Sequence, residues 1–197
     1  ECASIIEENR ESGINIFNSE GMLNKAKLFL ERKEYELAEE HSKSALEQAL
    51  SDRRGFDKKN ASSALAAAWG MISKSLEMGL EISEIEAMMA TAQVLFKEEK
   101  FVKAAEAAKE ARSVVMNGWE KHYVENTAKL KKQISEMVEE GRELELDMTP
   151  IEEMMEKTET HLKEANFKDA EGVARETKDI LGEMIRSKLS EILQARK

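Results

Sequence analysis

The chain matches itself at an interval of 66 residues. Tyr35, Phe101 and Phe167 stand at this interval, and other positions match in the same register without a gap. Further matched sets are Met22, Met88 and Met154; Ala38, Ala104 and Ala170; Glu20, Glu86 and Glu152; Ile6, Ile72 and Val138. A fixed period of this length is typical of proteins built from stacked units. Because the chain has 197 residues, the sequence predicts three tandem units.

Apolar residues within one unit follow helical spacing. Such residues recur every three or four positions, which places them along one face of a helix. The stripe in the second unit consists of Ile82, Ile85, Met88, Met89, Ala92, Leu95 and Phe96. Charged residues make up 36% of the chain, aromatic residues only 5%, and there is one proline, a composition that favours helices over strands. The predicted fold class is therefore all-α.

Each unit is predicted to contain a short helix, which in the second and third units begins with a capping box. In this motif a hydroxyl group and a carboxylate three residues later bind the free amides of the first turn. The pairs with this spacing are Ser83 with Glu86 and Thr149 with Glu152. Phe17 replaces the hydroxyl residue in the first unit, so we expect the cap there at Asn15 or Asn18.

A long helix is predicted after each short one. From Phe101 to about Leu146 the sequence contains no proline, which predicts one helix of about 70 Å, with Gly118 and Gly141 as weak points. The matching helix from Tyr35 to Met78 contains several helix-disfavouring residues around Gly55. There we expect a kink or a short loop.

A long helix can belong to two successive bundles, because its first half can pack in one bundle and its second half in the next. The units would then be residues 1–52, 53–118 and 119–197, the last with the start of a further helix. This connectivity resembles the spectrin-repeat family, and the resemblance implies an extended rod of three-helix bundles. Since Glu1 matches Ala67 inside a helix, we expect the chain to be part of a longer array.

A second resemblance is local and implies a different shape. Its residues follow the core spacing of a tetratricopeptide repeat, in which small side chains let two helices approach closely. They are Ala26, Phe29, Tyr35, Ala38 and Ala45. A tetratricopeptide-like adaptor would bind a peptide or helix in a groove, which is the alternative function.

The sequence predicts no catalytic, cofactor or metal site. None of His41, His122 and His161 stands in the Glu-x-x-His pattern of di-metal helical bundles. His161 matches Phe29 and Leu95, so it is expected to lie against the core. A metal-binding or enzymatic bundle, the third alternative, would need a cleft that gathers a histidine with several carboxylates.

Charge and hydropathy favour protein partners. The net charge of −10 and the pI of about 5.1 disfavour nucleic acid, and no apolar run is long enough for membrane insertion. The composition is compatible with a cytoplasmic protein. The leading function is a non-catalytic structural or protein-interaction module, a rod-like scaffold or spacer, and self-association remains open. The candidate partner contacts are Trp69, Met116, Trp119 and Met184.

Overall fold

The computed structural model describes residues 2–195, which form α-helices joined by short turns. The helices of this part of the chain are α1 (Cys2–Glu11), α2 (Phe17–Glu31), α3 (Tyr35–Glu77), α4 (Ser83–Lys97), α5 (Phe101–Glu143), α6 (Thr149–Lys163) and α7 (Phe167–Ala195). No strand occurs among the residues described. The prediction of an all-α fold is confirmed.

Short and long helices alternate along the chain. The short helices α2, α4 and α6 have 15 residues each, and their first residues lie 66 positions apart. The long helices α3 and α5 have 43 residues each, and the first residues of α3, α5 and α7 are separated by the same interval. The helix bounds therefore follow the interval seen in the sequence. The spectrin-like arrangement of the helices stays a prediction.

The long helices are continuous through their glycines. Helix α5 is unbroken, as predicted, and ends at Glu143. The loop that we expected in α3 does not form, because α3 is helical through Gly55. Ala49 and Ala61, on either side of the weak segment, are fully buried, so packing outweighs the low helix propensity between them.

The predicted capping boxes are wrong, and a different cap recurs in their place. The residue two positions before the helix accepts a hydrogen bond from the first helical amide, as from Phe17 N to Asn15 Oδ1 at 3.0 Å. The two matching bonds, also 3.0 Å long, run from Ser83 N to Glu81 Oε1 and from Thr149 N to Asp147 Oδ1. Asn15, one of the two residues expected to cap α2, thus binds its first amide, although Ile16 occupies the N-cap position. Ile82 and Met148 occupy the N-cap positions because their side chains are buried.

Left-handed residues end the helices in two matched sets. Gly13, Gly79 and Glu145 have φ values of 72°, 73° and 55°. Lys33, Glu99 and Ala165 have values of 63°, 59° and 59°. The amide after each of these residues donates to a carbonyl five positions earlier, as Leu80 does to Ser75 at 3.0 Å. These are Schellman motifs, which satisfy the last helical carbonyls and reverse the chain sharply.

The described chain forms two compact units, one up to Val115 and one from Met116, and the division falls within α5. In the first unit, α1 and α2 pack on α3. Asn9 Nδ2 donates to Ala49 O at 2.8 Å, which joins α1 to α3 in the interior. Much of the core is alanine without exposed surface: Ala45, Ala49, Ala61, Ala68, Ala92, Ala104, Ala108 and Ala111. Such small side chains allow closely spaced helices.

The second unit consists of the remainder of α5 with α6 and α7. Its core contains larger side chains: Ile134, Met148, Ile151, Ala174, Leu181 and Ile185. Gly141 is buried here, and a Cβ atom on it would lie 3.0 Å from Met148 Cε. The missing side chain therefore makes room for Met148. The predicted division into residues 1–52, 53–118 and 119–197 is not tested by these two units and stays a prediction.

Candidate functional site

An open groove of about 650 Å³ lies in the first unit, where α3 passes the turn between α4 and α5. Its lining comes from α3 on one side and from the α4–α5 turn and the start of α5 on the other. The lining residues are Leu50, Arg53, Arg54, Asp57, Glu98, Glu99, Lys100, Phe101, Val102 and Lys103.

Local helix geometry builds both walls of this groove. The α3 residues are spaced three and four apart, so they project from one face of that helix. Opposite them, the left-handed Glu99 reverses the chain between α4 and α5. Arg54 is ion-paired and hydrogen-bonded to Glu99 across the groove. Both side chains are well exposed, so this pair contributes less than about 1 kcal/mol.

The floor of the groove is apolar and its rim is charged. Phe101 is buried and packs edge-on against Phe96, with ring centroids 5.2 Å apart. Leu50 and Val102 stay about half exposed above it. The rim carries both signs of charge, with Lys100 Nζ 2.7 Å from Glu98 Oε2. An apolar centre inside a polar rim is the composition of a surface that binds a protein segment.

The four predicted partner contacts fall in different places. Trp69 is in the first unit and is partly exposed, whereas Met116, on α5, is more than half exposed. Trp119 lies one turn after Met116 and is partly buried. Met184 packs against the core of the second unit. None of these four lines the groove, and their role as contacts stays a prediction.

The sequence did not reveal the groove, although two signals pointed toward it. Arg53 and Arg54 belong to a short basic run that could indicate an acidic partner. In addition, Met116 and Trp119 stand 66 residues after Leu50 and Arg53. Two predicted contacts of α5 therefore match, in register, two groove residues of α3.

The buried polar side chains of the described residues bind within the fold. Five hydroxyl groups donate to a backbone carbonyl three or four residues earlier: those of Ser19, Ser75, Thr127, Thr158 and Thr177. Glu171 accepts from Arg175 on the next turn at 2.6 Å, and Asn9 binds Ala49. These groups thus serve the packing of helices.

His161 is partly buried on α6, and its Nδ1 atom lies in the interior without a hydrogen-bond partner. This agrees with the expected position against the core. Among residues 2–195, no three histidine, cysteine, aspartate or glutamate side chains gather in a way that could hold a metal ion.

No helix in the described part of the chain combines the length and the apolar character required to cross a membrane. Comparison with protein families, with curated proteins and with solved structures finds no significant match to this chain.

Proposed function

We propose that the chain is a non-catalytic structural or protein-interaction module, built of three tandem 66-residue helical units that share long helices in a spectrin-like rod. Its role would be that of a scaffold or spacer. The observation that carries this proposal is the recurrence of helix starts, caps and left-handed turns at one interval. A repeated local structure extends a protein without requiring a site.

The hydrogen bonds of the buried polar side chains support the same structural role. Thr127, Thr158 and Thr177 are fully buried, and each binds a carbonyl of its own helix. A threonine engaged in this way fills space between helices and has no free group for chemistry. Long helices that pass from one bundle into the next would couple each unit to its neighbour.

Small-angle X-ray scattering combined with light scattering tests the scaffold proposal. Three bundles placed end to end would give a monomer with a maximum dimension of about 80 Å or more, from the helical rise. A radius of gyration of about 16 Å, the value for a globular protein of this length, would contradict the extended rod. The data should be extrapolated to zero concentration so that the result describes the monomer.

The groove favours a second function, that of an adaptor that binds a peptide or helix. Leu50 and Val102 present exposed apolar surface above the buried ring of Phe101. A displayed library of amphipathic helical peptides provides the probe. Peptides that bind the wild-type chain should be lost on Leu50→Glu and retained on Leu76→Glu, which alters an exposed leucine of α3 outside the groove. If both variants bound the peptides equally, the groove would be excluded as the binding site.

A further inference from the structure

The side of α2 that faces away from α3 exposes two large apolar side chains. We name this side the outer face. It consists of Phe17, Gly21, Asn24 and Leu28. Their spacing of four, three and four residues places them along one side of the helix, opposite the buried Ser19 and Ala26. Phe17 is 80% exposed and Leu28 is 52% exposed.

Exposure of this face is a property of the repeated unit. The residues at the matched positions are exposed as well: Ser83, Ala87, Ala90 and Val94 on α4, and Thr149, Glu153, Glu156 and Thr160 on α6. Helix α4 has helices both before and after it in the described chain, and its outer side still stays open to solvent. Because serine and threonine match Phe17 in the other units, packing within the fold does not require an aromatic ring there.

Gly21 leaves a hollow in the middle of the outer face. A Cβ atom at this position would meet no atom within 4 Å. The hollow is open, has a volume of about 370 Å³ and is lined in part by Phe17 and Asn24. A side chain of another helix can therefore approach the backbone of α2 closely.

The outer face complements itself when two copies of α2 lie antiparallel. One register places Phe17 of each copy opposite Leu28 of the other. In the same register Gly21 lies opposite Asn24, so the side chain of Asn24 can enter the hollow. Apolar residues would then meet at both ends of the contact, where they would bury each other. This layering of four positions is that of two helices packed as a coiled coil.

Charged residues beside the outer face are complementary in this register too. Glu20 and Lys27 lie along one edge of the face, and a twofold axis between antiparallel helices brings the same edges together. Glu20 of each copy would therefore face Lys27 of the other. Glu20 pairs with Arg10 within the chain, but its side chain is still 43% exposed and can accept a second cation. The other edge carries Asn18 and Lys25, which offer no pair of opposite charges.

We propose that the outer face of α2 is the contact of a symmetric dimer, in which α2 of one copy packs antiparallel on α2 of a second copy. The contact is isologous, so it uses the same surface of both copies and closes at two chains. Its occupant is a second copy of this chain because both the apolar and the charged residues match under the twofold axis. The inference goes beyond the scaffold proposal and does not depend on it.

Sedimentation equilibrium of apolar variants tests this contact. The wild-type chain should show a monomer–dimer equilibrium. Phe17→Ser introduces the side chain that α4 carries at the matched position, so the fold should tolerate it. Because the dimer loses two buried rings, its dissociation constant should rise at least about a hundredfold. Leu28→Thr should also weaken the dimer, whereas Val94→Thr, the matched change on α4, should dimerise like the wild-type chain.

Charge reversal tests the antiparallel register. Glu20→Lys and Lys27→Glu should each raise the dissociation constant about tenfold, because each places two pairs of like charges in the dimer. Their equimolar mixture should form heterodimers about as tight as the wild-type dimer, since both pairs are then opposite in charge. Lys25→Glu is the matched control on the other edge and should have little effect. Circular dichroism checks that every variant is folded.

Several results would overturn the proposal. They are a wild-type chain that stays monomeric up to millimolar concentration, oligomers larger than dimers, and a Phe17→Ser variant that dimerises like the wild-type chain. Disruption by Lys25→Glu but not by Lys27→Glu would indicate a parallel contact and would contradict the antiparallel one. The scattering experiment measures the shape of the monomer, so failure of the dimer contact and failure of the scaffold proposal are distinguishable.

Discussion

At the scale of single residues, the left-handed turns show where the chain is strained. Glu145 occupies a left-handed position at which Gly13 and Gly79 stand in the other turns of the set. A side chain in this conformation costs about 1–2 kcal/mol, and part of this is offset because glycine loses more entropy on folding. We expect Glu145→Gly to raise the free energy of unfolding by about 1 kcal/mol in urea titrations. Glu145→Ala, which retains the Cβ atom, should change it little.

The recurring caps predict a pH dependence that one substitution removes. Hydrogen bonds from the hydroxyl and amide of Thr149 hold the pKa of Asp147 below its ordinary value. The carboxylate therefore stabilises the fold above its unfolded pKa, and this contribution is lost as pH falls through the lowered folded pKa. Asn15 makes the same bond without a titrating group. The melting temperature of Asp147→Asn should therefore fall less between pH 7 and pH 3 than that of the wild-type chain.

Asp147→Ala provides the contrast, because it removes the acceptor altogether. This variant should melt at a lower temperature than Asp147→Asn at both pH values. If the two variants melted alike across the pH range, the bond to Thr149 would have no role in stability.

At the scale of helices, glycines in α3 and α5 have different surroundings. A Cβ atom at Gly55 would meet no atom within 4 Å, but at Gly141 it would lie 3.0 Å from Met148 Cε and 3.1 Å from its Sδ. Replacing an exposed helical glycine by alanine gains about 0.5–1 kcal/mol. We expect that gain for Gly55→Ala and a smaller one for Gly141→Ala, because Met148 must move. Equal gains in denaturant titrations would contradict this packing.

Helix starts were predictable because the apolar stripe and the matched residues fix both face and register. The loop expected at Gly55 does not form, since helix propensity is a local quantity and the burial of Ala49 and Ala61 is not. Caps were missed for a similar reason. Alternative side-chain acceptors for the first helical amides differ in energy by about 1 kcal/mol, and the burial of Ile82 at the N-cap position decides which acceptor is used.

At the scale of the molecule, the groove shows which feature could not be predicted from the sequence: a surface formed by residues that are distant in the chain. Leu50 and Val102 are far apart in the chain and meet because α3 passes the start of α5. Each residue alone looks like an exposed apolar side chain, which is common on protein surfaces. The only sequence signals of this surface were the basic run of Arg53 and Arg54 and the register that aligns Met116 with Leu50.

The two compact units predict that damage to one core remains local. Leu181 has no exposed surface and belongs to the core of the second unit, so Leu181→Ala should cost about 3 kcal/mol there. In units stabilised by near neighbours, such a loss opens nearby helices first. Amide hydrogen exchange should therefore accelerate in α6 and α7 and stay unchanged in α2. Val124→Ala, which shortens a partly exposed side chain of the same unit, should leave both rates unchanged. Acceleration in α2 equal to that in α7 would mean that the two compact units open together as one cooperative body, and the prediction that the damage remains local would then be wrong.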